Sequence, residues 1–130
     1  MAYTTVNKHT DYFNTKIYNG TGSNGNAITG VGFQPDWLWI KDRNYGGNYS
    51  HRLYDSIRGV NSALSSDNNS AASQYAQYGQ LESFDSNGFT VGQGTSNGAA
   101  MNDNGDSHVS WNWKAGTTGS GTTTGAGTGK

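Results

Sequence analysis

Ten residues, Gln34-Pro35-Asp36-Trp37-Leu38-Trp39-Ile40-Lys41-Asp42-Arg43, constrain this chain more than any other stretch. They hold the only run of large apolar side chains uninterrupted by Gly, Asn or Ser, in a sequence whose hydrophobic fraction is 32%. Proline locks φ and biases its predecessor away from the helix, so Pro35 predicts an extended lead into the run. Four consecutive apolar residues then predict a strand buried on both faces, with Trp37 and Trp39 pointing one way and Leu38 and Ile40 the other. Lys41-Asp42-Arg43 marks the return to water.

A partner strand stands near the other end of the chain. Val109, Trp111 and Trp113 alternate with Ser110, Asn112 and Lys114, the period-2 pattern of a half-buried strand. All 4 tryptophans therefore lie in two strands. The expectation is that Trp37, Trp39, Trp111 and Trp113 form the structural core, because aromatic rings carry the largest apolar area and aliphatics are scarce here. A stacking platform for sugar rings is the alternative.

With 130 residues there is room for one domain with one core. Gly contributes 20 residues, Pro 1, and charged residues 13%, while the 12% aromatic content supplies packing material that a disordered polyelectrolyte lacks. Short strands joined by Gly, Asn and Ser turns predict an all-β antiparallel sandwich. A formal net charge of -1 gives no electrostatic footprint for nucleic acid. No apolar window is long enough for membrane insertion, and the N-terminus lacks a signal-peptide pattern. The cysteine count of 0 excludes disulfides, thiolate metal sites and a cysteine nucleophile.

Residues 1–11 read as a polar N-terminal arm, 12–115 as the sandwich and 116–130 as a low-complexity Gly/Thr-rich tail. Strands are predicted over Tyr12–Tyr18, Ala27–Phe33, Ser50–Ile57 and Leu81–Phe84, the last turning through Asp85-Ser86-Asn87-Gly88 into Phe89-Thr90-Val91. Asn61–Gln80 reads as a long polar loop with one or two helical turns at most, and Gln93–Asp106 as a second polar loop.

Catalysis has little to work with. His9, His51 and His108 share no ligand spacing, Glu82 is the sole glutamate, and no paired carboxylates suit glycoside hydrolysis, so the chain reads as non-enzymatic. Arg52 and Arg58 flank Asp55, which predicts an internal salt bridge. No cofactor is expected, with calcium as the one alternative: Asn102, Asp103, Asn104 and Asp106 concentrate oxygen ligands, although such clusters are also ordinary turn formers. Tyr45, Tyr49, Tyr54, Tyr75 and Tyr78, set among small polar residues, suit either saccharide binding or subunit packing, and Tyr45, Tyr49, Tyr75 and Tyr78 are the candidate ligand contacts.

An ordered set of motifs carries a resemblance. Tyr12-Phe13-Asn14-Thr15-Lys16, Gly30-Val31-Gly32-Phe33-Gln34-Pro35-Asp36, Trp39-Ile40-Lys41, Arg52 to Gly59, Ser83 to Thr90 and Trp111 to Gly116 are together similar to domains in virion appendage proteins of marine tailed bacteriophages. That resemblance implies a concanavalin A-like or jelly-roll sandwich and a structural role on the virion surface, assembled in the host cytoplasm. It implies partners that are virion proteins and the chain itself as a homo-oligomer, a trimer being one form, with a host-surface glycan as a further contact. Family members are expected to continue into further domains where this chain has its Gly/Thr segment. The alternatives are therefore a capsid-decorating or cementing subunit, or a free carbohydrate-binding lectin.

Overall fold

A computed structural model of the protein describes residues 8–44, 49–74 and 76–115. Seven strands follow in order: β1 (Phe13–Asn19), β2 (Asn26–Thr29), β3 (Trp37–Asp42), β4 (Arg52–Asp55), β5 (Gln80–Asp85), β6 (Gly88–Gly92) and β7 (Ser107–Trp113). One antiparallel sheet has the order β1-β7-β3-β4 and the other β2-β6-β5. They pack as the sandwich that composition and turn spacing predict. The last strand inserts between the first and third, so the two tryptophan strands are neighbours, with Trp37 opposite Trp113 and Trp39 opposite Trp111.

Strand limits differ from the sequence reading for local reasons. Ala27–Phe33 stops at Thr29 because Gly30 and Gly32 adopt positive φ, which releases Val31 and Phe33 to fold inward and become buried. The Ser50–Ile57 stretch is a strand only over Arg52–Asp55; beyond it the Asp55 carboxylate accepts the Arg58 N–H at 2.8 Å and closes a turn. In the hairpin, Gly88 sits where a Cβ would lie 1.9 Å from the Ile28 carbonyl oxygen, so only glycine fits between β2 and β5. A bulge between Leu81 and Ser83 adds one residue to β5. That extra residue lets Leu81 and Phe84, an odd number of positions apart, both face the core opposite Val91 and Phe89.

The core lies between the sheets and is built from Leu38, Ile40, Tyr54, Phe89, Val91 and Met101, with smaller neighbours. Met101 comes from Gln93–Asp106, the segment read as a polar loop: Ala99, Ala100, Met101 and Asn102 are all buried. Tyr18 donates its hydroxyl to the Met101 carbonyl at 2.8 Å, and the Tyr54 hydroxyl meets Met101 Sδ at 3.5 Å. Tyr54 is fully buried, not the exposed contact residue that its polar surroundings suggest.

Four tryptophans were expected in this core, and none is there. Along β3 and β7 the buried positions are Leu38, Ile40, Asp42, His108, Ser110 and Asn112, while Trp37, Trp39, Trp111 and Trp113 occupy the alternate, half-buried positions on the outer face. The strand period was legible, but the face was the opposite one. Inside, Asn112 donates to the Asn14 carbonyl at 3.0 Å and to Ser110 Oγ at 3.1 Å, and Asn14 Nδ2 reaches the Val31 carbonyl at 3.0 Å. Small polar side chains satisfied in this way can stand in a sandwich interior.

The pairing is incomplete at Asn112 Oδ1 and at the His108 ring. His108 stands between Tyr18 and Asp42 in register, its ring stacked on Tyr18 at 5.2 Å, and the Asp106 backbone approaches it without making a well-aligned hydrogen bond to either ring nitrogen. Burial pushes its pKa below the ordinary 6.5, against the opposing pull of Asp42, Asp106 and Asp103. The unfolded chain therefore binds a proton more readily than the folded one. Stability contributed by neutral His108 is complete above about pH 6.5 and falls as pH drops through the range beneath. Urea titrations at pH 7.5 and pH 5.5 should show a lower midpoint at the acid value, and His108→Leu should reduce that difference; an unchanged difference would assign the acid loss to other groups.

Candidate functional site

The outer face of the four-stranded sheet is its more apolar side along β7. Reading across the strands, one row is Phe13, Trp113, Trp37 and Asp55, and the next is Thr15, Trp111, Trp39 and Leu53. A third holds Ile17, Val109 and Lys41. Ile17 is 62% exposed, and Ile57, in the turn after β4, is 90% exposed. The other sheet differs: its outward Ser83 and Thr90 hydroxyls are tied to Asp85 at 2.7 Å each, which leaves a hydrogen-bonded polar face.

Trp39, Trp111 and Trp113 line an open hollow of about 240 Å³. Trp39 and Trp111 meet edge to face, centroids 5.8 Å apart at 64°, so the floor is concave. Phe13 braces Trp113 at 5.0 Å. The Trp39 Nε1–H donates to His51 Nδ1 at 2.7 Å, which fixes the indole and places the proton of the neutral imidazole on Nε2. Burial and the Lys41 charge lower the His51 pKa, outweighing Asp67, and Lys41 Nζ donates to the Tyr49 carbonyl at 3.1 Å.

The other sequence candidates are dispersed. Tyr49 and Tyr78 pack on one another at 5.3 Å and against the core, so they brace the loops instead of presenting free rings; Tyr45 and Tyr75 lie outside the described residues. Of the calcium candidates, one is taken up by the fold. Asn102 is buried, its Oδ1 accepting from Thr21 N–H at 3.0 Å and Asn26 Nδ2 at 2.7 Å while its Nδ2 donates to the Ser23 carbonyl at 2.7 Å. It is a clamp between two loops. Asp103 Oδ1 caps the Asn104 N–H, and among the described residues no group of three His, Asp or Glu side chains is placed to hold a metal ion. The predicted Arg-Asp set is half present. Asp55 pairs with Arg58, whereas Arg52 is buried and donates to Ser65 Oγ at 3.1 Å.

Sequence reasoning missed His51 and Lys41 as neighbours of the tryptophans. Ile40 pairs with Arg52, so the next step of the same register sets Lys41 beside His51, a pairing visible only once β3 and β4 are aligned. Outward placement of the indoles has a measurable consequence. Leu38→Ala, which empties a fully buried position, should cost about 2–5 kcal/mol in urea unfolding. Trp111→Ser should cost less and keep a single cooperative transition; an equal or larger loss would return Trp111 to the core.

No curated protein and no solved structure matches the chain. The family model of a domain of unknown function, DUF7483, matches residues 8–130. That span takes in all seven strands and every residue of the tryptophan face, and the chain belongs to the DUF7483 family.

Proposed function

We propose that this chain is a non-enzymatic structural and adhesion module of a bacteriophage virion surface, of tail-fibre or appendage type. Its working surface is the outer face of the β1-β7-β3-β4 sheet. The observation that carries this reading is the placement of all 4 tryptophans outside the core, in a chain with few apolar residues to spend. A contiguous, half-exposed apolar face is a feature of interaction surfaces and ligand-binding grooves. The motif set similar to phage appendage domains supplies the virion context. A capsid-decorating subunit would present the same face to a capsid neighbour, and a free lectin would present it to glycan alone.

Gold-labelled antibodies raised against the chain should decorate intact particles of the phage that encodes it, at the tail or its appendages. Label over the capsid would favour the decorating subunit. Chain recovered only from the particle-free lysate would overturn the virion reading.

A further inference from the structure

The hollow is lined by indoles alone, and a lysine stands in the next row of the same sheet face; that combination narrows what it accepts. Three indoles supply stacking surface for the C–H face of a ring. At about 240 Å³ the space falls below the roughly 300–1,000 Å³ of pockets that enclose whole drug-sized ligands, so it suits one ring of a longer molecule. Lys41 lies on the same face two residues from Trp39, opposite Val109 and next to the Trp39–Trp111 pair. Its ammonium spends one N–H on the Tyr49 carbonyl and keeps two donors. The salt bridge among the described residues joins Asp55 to Arg58, and Lys41 makes none with a described carboxylate.

His51 adds a directional donor. Its Nδ1 is occupied by the Trp39 indole, so the Nε2–H remains to bond an oxygen.

We propose that Trp39, Trp111 and Trp113 seat the pyranose ring of a carboxylated sugar, such as a uronate residue of an acidic polysaccharide, with Lys41 pairing its carboxylate and His51 Nε2–H donating to it. This rests on the outer face being the working surface, and it names the ligand class of that face. The fit is one of charge complementarity as well as shape. A neutral sugar would stack equally well but leave Lys41 unanswered, and a second copy of the chain would bring another cationic edge to the same face.

The test uses the full chain against immobilised polygalacturonate, alginate and hyaluronan, with neutral galactan and dextran of matched length as controls. Binding to at least one carboxylated polymer is expected, with quenching of tryptophan fluorescence and weakening in high salt. Trp111→Ser and Lys41→Met should each weaken it about tenfold or more, and Lys41→Arg should retain most of it. Circular dichroism of each variant checks that the fold persists. Equal affinity for the neutral polymers would overturn the carboxylate assignment, and binding to none of the five would overturn the proposal. Concentration-dependent oligomers in light scattering, dispersed by Trp111→Ser without any glycan binding, would make the occupant a second copy instead. Particles that carry the chain while it ignores every acidic polymer would sink this inference alone; glycan binding by a chain absent from particles would sink the virion reading alone.

Discussion

The parity of β7 between β1 and β3 is the constraint on which the rest depends. A strand has period 2, so a shift of one residue would exchange His108, Ser110 and Asn112 for Val109, Trp111 and Trp113 on the inner face. Bonds at both ends of the strand fix the choice. At its start the Ser107 carbonyl accepts the Arg43 N–H at 2.9 Å; at its end Trp113 accepts from Asp36 N–H at 2.8 Å, and the Asp36 carboxylate takes the Ala115 N–H at 2.9 Å. Asp36 also holds Ser56 Oγ at 3.1 Å, which ties the same point to the turn after β4. A slipped register would break these together.

Turning the tryptophans outward leaves an interior short of apolar volume on the β1 and β7 side, and two other segments fill it. Val31 and Phe33 fold in after the glycine bend, and Met101 arrives from the long loop before β7. The loop can reach the interior because its polar ends are satisfied by Asn102 and because Gly20 offers no side chain where a Cβ would meet the Asp103 carbonyl oxygen at 2.0 Å. The interior is thus half aliphatic and half hydrogen-bonded. That compensation is incomplete at His108 and at Asn112 Oδ1.

Fold class, hairpin and most strand positions were legible because they depend on local chemistry: turn residues, period-2 alternation and the Pro35 approach. Sidedness was not. In β3 the first four residues are all apolar, so alternation cannot say which pair faces inward, and in β7 the three alternating apolar residues suggest the wrong face. Only the neighbour relations of both strands decide it, and those relations are long-range. Burial of Asn102 was hidden for the same reason: its partners Thr21, Ser23 and Asn26 lie about eighty residues away in sequence, where an Asn/Asp/Gly cluster reads as a turn or a calcium loop. The tyrosines set in loops suggested adaptable contacts, yet Tyr54 is core and Tyr49 and Tyr78 brace it.

The consequence for recognition is a matter of entropy. Loop tyrosines must be ordered on binding, whereas Trp39 and Trp111 sit on the two central strands of their sheet, hydrogen-bonded along both edges, with one indole pinned by His51 and the neighbouring Trp113 braced by Phe13. Rings held this way lose little freedom when a ligand arrives, so even a small contact area can give useful affinity. Repetition then multiplies it. Under the proposed reading, a polysaccharide offers the same ring many times and a virion the same protein many times, so weak single contacts would combine through effective concentration without any change in the individual site. A rigid, shallow and open hollow suits that regime better than a deep pocket, because an interior residue of a polymer has chain leaving it on both sides.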